Sequence, residues 1–165
     1  MNRLLVRAAI AFLLLPGTVA FLVPLFVLAP GGPGSFVTWL GLIPLGLGIV
    51  LLLSCVREFY VAGRGTLAPW APPQELVVTG PYRLSRNPMY VAVSLVLWGW
   101  ALGFRSWPLA AYAAAIMVAF HLRVVLYEEP WLARTHREKW IDYKTRVPRW
   151  FGVQQGTDRN TSLEA

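Results

Sequence analysis

Residues 8–56 read AAIAFLLLPGTVAFLVPLFVLAPGGPGSFVTWLGLIPLGLGIVLLLSCV and contain no charged side chain. A helix spans a bilayer with roughly 20 apolar residues, so this stretch is long enough for two spans. Only 14% of the 165 residues are charged, against about 25% in a soluble domain. The sequence therefore excludes a soluble globular domain and a disordered tail. Its one cysteine, Cys55, also excludes a disulfide framework.

A cluster of prolines and glycines at residues 29–35 divides the uncharged stretch into two helices. Further along the chain, Arg105 alone separates two more uncharged stretches, which indicates a tight helical hairpin. The fold class that we predict is all-α: a multi-pass membrane bundle of four transmembrane helices in a single domain, residues 1–165. The predicted spans are about residues 8–28, 36–56, 87–104 and 106–126.

The basic residues predict the orientation of this bundle. All 15 Lys and Arg residues except Arg105 would lie on one side of a four-span chain. The positive-inside rule then places both termini, the loop 57–86 and the segment 127–165 in the cytoplasm, in a plasma, inner or endoplasmic reticulum membrane. The net charge of +7 is thus a topology signal, and we expect no nucleic-acid partner. A cleavable signal peptide in residues 1–20 is the competing interpretation.

The C-terminal segment predicts one more helix, over residues 131–147. Its apolar and aromatic residues share one face, which is typical of an amphipathic helix lying at the membrane surface. Packing of the same face against the bundle is the alternative. The residues of this face are Leu132, His136, Trp140, Tyr143 and Val147.

The hairpin brings two polar segments together at one end of the bundle, because the third helix begins where the fourth one ends. In the first segment, Asn87 followed by Pro88 predicts a capped helix start, whose free amide groups favour an anion. In the second, Glu128 and Glu129 are adjacent acids at a membrane boundary, where a cationic partner would offset their cost. That partner is an arginine such as Arg123 or the ammonium or sulfonium group of a ligand.

Other residues of the two segments have simpler interpretations as well. The first segment's arginines can face lipid phosphates, and the two glutamates can be a solvated helix end. His121 shares a helix face with Glu128 and is a candidate base, although a lone histidine is more often a packed residue. We predict no metal site, since no other histidine or cysteine is suitably placed.

Five segments stand out for their order and spacing: GRGTLAP (63–69), LVVTGPYR (76–83), RNPMY (86–90), YEEP (127–130) and YKTRVPR (143–149). Together they resemble the isoprenylcysteine carboxyl methyltransferase family and the related phospholipid methyltransferases. The resemblance covers about residues 57–151.

The resemblance implies a multi-pass enzyme that uses S-adenosylmethionine and takes a lipophilic or lipid substrate from the bilayer. Glu128 and Arg123 are the implied catalytic residues, Arg123 as the family's substrate-side arginine. The implied cofactor-binding residues are Leu76, Val77, Tyr82, Asn87, Pro88, Met89, Tyr90, Glu128 and Glu129. Two departures stand out: Asn87 where many members have His, and His136-Arg137 where the family has Phe-Gly.

The methyl acceptor is the main alternative left by the sequence. A carboxylate is already ionised at neutral pH and needs no base, so O-methylation is the first expectation. An amine must lose a proton first, so N-methylation of a phospholipid needs a base such as His121 or a glutamate. A non-enzymatic membrane protein on the same scaffold and a reductase with a related membrane core are the other hypotheses. The sequence leaves the oligomeric state open.

Overall fold

A computed structural model of the chain describes residues 13–28, 38–62 and 75–151, and all regular structure within them is helical. The all-α class is therefore confirmed for this part of the chain. The GRGTLAP segment, both chain termini and most of the proline-glycine cluster lie outside the described residues. The elements are α1 (Leu13–Leu28, with π-type hydrogen bonding), α2 (Leu42–Val61), α3 (Pro88–Gly103), α4 (Trp107–Arg123) and α5 (Glu129–Arg146).

The predicted turn between the third and fourth helices is confirmed at Phe104–Ser106. Ser106 caps α4 by accepting a hydrogen bond from the Leu109 amide (3.5 Å), and Pro108 lies in the first turn, where its missing N–H costs nothing. Helices α3 and α4 are consequently antiparallel neighbours. The start of α3 and the end of α4 meet at one end of the bundle, which we call the open end of the hairpin.

Helices α2 and α3 pack closely because glycines stand at their crossing points. A Cβ atom on Gly48 would lie 2.8 Å from the Ala92 carbonyl oxygen, and one on Gly99 would lie 2.7 Å from the Leu45 amide. Small residues allow two membrane helices to approach backbone to backbone. Leu45, Leu52, Val96 and Leu97 fill the core on either side of these contacts. This pair fixes the position of the α3 start.

Helix boundaries differ from the predicted ones at two places. A 3₁₀ turn, Trp39–Gly41, leads into α2, and the helix continues past residue 56 to Val61. The fourth span is predicted to end near residue 126, and the helix itself extends beyond that residue. A π turn, Val124–Glu128, joins α4 to α5, so that the helix continues from Trp107 past Glu128 and, with a kink at Arg137, reaches Arg146. The π turn shifts the hydrogen-bond pattern just before Pro130, whose ring would otherwise collide with the preceding turn.

Two helices of the described residues are long and apolar enough to cross a membrane, Trp39–Val61 and Trp107–Arg146. The second has 40 residues, of which about 20 would fit the hydrocarbon core, so its charged half from Glu128 onward extends beyond it. The 16 residues of α3 are only about 24 Å long, short of the roughly 30 Å core. Four spans and cytoplasmic termini therefore remain predictions, as does a single domain over 1–165.

The aromatic face of α5 packs against the protein. Trp140, Tyr143 and Val147 form a buried cluster with Leu76 and Leu132, and the Tyr143 hydroxyl donates to the Tyr82 carbonyl (2.7 Å). The structure thus favours the packed alternative for this face over the interfacial one. A kink interrupts α5 at Arg137, whose φ of 38° is unfavourable for a residue with a side chain.

Candidate functional site

The open end of the hairpin brings the two polar segments into contact, as the hairpin predicts. The rings of Tyr90 on α3 and Phe120 on α4 stack with centroids 4.4 Å apart. The Arg123 Nε atom donates to the Tyr90 hydroxyl at 3.1 Å. The glutamates that follow in the chain therefore lie beside the first turn of α3.

Glu128 is held by two of these residues. Its Oε1 atom accepts hydrogen bonds from the Tyr90 hydroxyl and from Arg123 Nε (2.8 Å). Its Oε2 atom has no partner among the described residues, and its side chain is about one third exposed. Glu128 is therefore oriented through one oxygen and retains the other as a free acceptor.

Glu129 is occupied by arginines on both oxygens. Arg149 forms a two-pronged bridge to it, Nε to Oε1 at 2.8 Å and Nη2 to Oε2 at 2.7 Å, which is the strongest geometry for such a pair. Arg86 Nη1 lies 2.9 Å from Oε1, and its guanidinium also stands 5.5 Å from the ring centre of Trp140. The two adjacent glutamates thus have different surroundings, and only Glu128 keeps a free oxygen.

The electrostatics of Glu129 follow from these contacts. Partial burial alone would raise the pKa of its carboxyl, but the Arg149 hydrogen bonds and the charges of Arg86 and Arg149 outweigh burial and lower it. The same hydrogen bonds raise the pKa of the Arg149 guanidinium. Arg86 has a lowered pKa because it is desolvated, in spite of Glu129. Glu129 is accordingly a charged member of a structural network.

Residues 147–151, which we call the strap, return from α5 and bind the start of α3. The Arg149 carbonyl accepts hydrogen bonds from the Asn87 side-chain amide (3.1 Å) and the Ser85 hydroxyl (3.2 Å). The Pro148 carbonyl accepts from the Arg86 amide (2.9 Å). Asn87 occupies the predicted cap position of α3 and Pro88 is the first helical residue as expected, but the Asn87 side chain makes no cap hydrogen bond.

Most of the other expected cofactor residues lie inside packed clusters. Val77 and Tyr82 are buried with Cys55, and Met89 packs against the same cluster. Leu76 packs beneath α5. Pro88 is buried at the start of α3. The structure thus gathers Tyr90, Arg123 and the two glutamates at one place, and gives the side chains of the others contacts with the protein interior.

An apolar groove of about 380 Å³ runs between α3 and α4 next to this cluster. One face of α3 (Val91, Leu95, Trp98) and one face of α4 (Met117, Phe120) form its walls. His121 and Trp150 complete the lining at the open end of the hairpin, where the Trp150 Nε1 atom donates to His121 Nδ1 at 3.3 Å. With Nδ1 accepting, a neutral His121 ring carries its proton on Nε2, so His121 is poorly prepared to act as a base.

Sequence reasoning missed Arg149 as the partner of Glu129, and Trp150 as part of the groove. Both residues belong to the strap, which follows α5 in the chain. Helical periodicity does not predict contacts that form after the chain reverses direction. Val147-Pro148 predicts the end of α5, because the residue before proline avoids the helical conformation. The proline therefore predicts where the helix ends, but not where the chain packs after it.

Comparison with known proteins gives two kinds of match. A family model described as phospholipid methyltransferase matches residues 36–139. The phosphatidylethanolamine N-methyltransferase of Homo sapiens is 34% identical over 101 residues, which cover 61% of this chain and 50% of the human protein. The Mus musculus protein of the same name is 33% identical over 105 residues, covering 61% and 51%. The chain therefore spans about half the length of these relatives. No solved structure matches it.

Proposed function

The chain belongs to the phospholipid methyltransferase family, and on this basis we propose that it transfers a methyl group from S-adenosylmethionine to the amine of a membrane phospholipid. The sequence alone favours a carboxylate acceptor first and an amine second. The names of the two relatives favour the amine, since both describe N-methylation of phosphatidylethanolamine. We adopt the amine for this chain and infer the reaction's requirements from it.

The free Oε2 atom of Glu128 is the observation that carries the proposal. A primary amine with a pKa near that of lysine, about 10.4, is protonated at neutral pH and cannot attack a methyl group until it loses that proton. A carboxylate oxygen at the membrane boundary can hold the ammonium group and accept a proton from it. Tyr90 and Arg123 bind the other oxygen and so fix the direction in which Oε2 points.

The residues present also suit the cofactor. Arg86 Nε is buried without a hydrogen-bond acceptor among the described residues, while Nη1 faces Glu129 Oε1 at 2.9 Å. Buried donors of this kind cost free energy until an acceptor arrives. The carboxylate of S-adenosylmethionine would supply one. Arg86 and the free amides at the α3 start would hold that carboxylate.

When bound, S-adenosylmethionine would supply an electrophilic methyl group on its sulfonium for in-line transfer to the amine nitrogen. The protein's contribution is positioning and the exclusion of water. Glu128 would orient the amine and take up its proton, while Tyr90, which stacks on Phe120 of the groove wall, holds this carboxylate in place. Glu129 maintains the architecture by joining Arg86 to the strap.

The experiment combines purified protein in detergent, phosphatidylethanolamine and methyl-labelled S-adenosylmethionine. We expect a labelled lipid that resists mild base, as an N-methyl product does and a methyl ester does not. Glu128→Gln should reduce the rate at least 100-fold and leave the thermal unfolding midpoint unchanged. Asp142→Asn is the matched control, an acid-to-amide change at an exposed ion pair of α5, and should keep the rate. A base-labile product, or full activity of Glu128→Gln, would refute the proposal.

A further inference from the structure

The groove between α3 and α4 is a second feature of the open end, and its chemistry is unlike that of the glutamates. Its length along α3, from Val91 to Trp98, is seven residues or about 10 Å. Its volume of about 380 Å³ leaves room for an apolar chain segment of that length. The shape therefore suits a slender, flexible occupant.

The walls of the groove offer almost no hydrogen bonds to an occupant. Ser94 Oγ already donates to the Tyr90 carbonyl at 2.8 Å. Trp98 Nε1 donates to the Met117 sulfur at 3.2 Å, and Trp150 Nε1 donates to His121. Each of these polar groups is committed within the protein, so the occupant must be apolar along its length.

One end of the groove lies beside the proposed reaction site. Phe120 belongs to the groove wall and stacks on Tyr90, whose hydroxyl binds Glu128. His121, with its Nε2 facing no partner among the described residues, completes that end. An occupant with a long apolar chain and a cationic head would place its head beside Glu128 when its chain fills the groove.

We propose that this groove binds one acyl chain of an amine-bearing phospholipid and so sets the depth at which the headgroup reaches Glu128. The inference rests on the proposed function for the identity of the headgroup. It adds that the protein recognises the lipid by its chain and its charge together. A lipid that carries the same chain and an anionic head would be repelled by Glu128 and should occupy the groove less.

Photolabelling tests the inference without using catalysis. The probes are phosphatidylethanolamine and phosphatidylglycerol with the same diazirine-bearing acyl chain, added to the purified protein in detergent micelles, and the labelled residues are mapped by mass spectrometry. The exposed face of α2 (Leu47, Val50, Leu53) reports contact with bulk lipid. We expect the phosphatidylethanolamine probe to label the groove at least fivefold more than the α2 face.

Two variants on α3 make the test specific. Leu95→Trp fills the groove and should lower its labelling at least fivefold, whereas Leu102→Trp, on the same helix but outside the groove and about half exposed, should not. Equal labelling of groove and α2 face, or equal labelling of the groove by both probes, would overturn the inference. Loss of methyl transfer with the labelling pattern intact would instead contradict only the proposed reaction.

Discussion

Replacing Glu129 by glutamine is expected to lower the free energy of unfolding by about 2 kcal/mol. The change keeps the shape of the side chain and removes its charge, so Arg86 loses its carboxylate partner while its own side chain is only 7% exposed. Breaking a fully buried pair costs about 3–5 kcal/mol and an exposed pair about 0.2–1 kcal/mol. The pairs here lie between these limits, because the Glu129 side chain is 15% exposed and that of Arg149 is 36% exposed.

Thermal unfolding in detergent, followed by tryptophan fluorescence, measures this effect. For a chain of this size, about 2 kcal/mol corresponds to a midpoint lowered by about 4–8 °C. Asp142→Asn is the control, since it removes an ion pair whose two side chains are 63% and 69% exposed, and should shift the midpoint by about 2 °C or less. Equal shifts for the two variants would refute the claim that the Glu129 network is structural.

The pH dependence of the unfolding midpoint is a second test of the claim that the Glu129 network stabilises the fold. The folded protein lowers the pKa of Glu129 below its ordinary value of 4.5, so its contribution to stability is complete above that pH and is lost as the pH falls through the folded value. Glutamine does not titrate. The difference in midpoint between the wild-type chain and Glu129→Gln should therefore narrow as the pH is lowered below 4.5, and a difference that stays constant would contradict the network.

Two further pairs of variants test the fold by their thermal unfolding midpoints in detergent. Gly48→Ala should destabilise by about 1–3 kcal/mol, because its Cβ would collide with the Ala92 carbonyl, whereas Gly46→Ala, which meets nothing within 4 Å, should be neutral or stabilising. Arg137→Gly should raise the midpoint, because it relieves a positive φ that costs about 1–2 kcal/mol, whereas Arg134→Gly within the same helix should lower it. If the stabilities of the two variants in either pair are ranked the other way, the backbone geometry behind that prediction is contradicted.

The sequence predicts the parts of this fold that depend on neighbours in the chain. The lengths of the uncharged stretches predict the helices, Arg105 marks the hairpin turn, and the hairpin brings Tyr90 close to Glu128. The continuous helix through Glu128 was not predictable in the same way. Two adjacent acids before a proline are typical of a helix end, and only the π turn, which no residue pattern specifies, allows the helix to continue.

The different contacts of Glu128 and Glu129 show why the site could not be predicted fully from the sequence. In the sequence the two residues are identical, adjacent and equally suited to a cationic ligand. Neighbours on a helix point about 100° apart, so one carboxylate turns toward the α3–α4 hairpin and the other toward the strap. The strap supplies Arg149 from 20 residues away and occupies Glu129, while Tyr90 and Arg123 leave Glu128 with one open oxygen. Which glutamate can serve the substrate is thus determined by the return of the chain after α5.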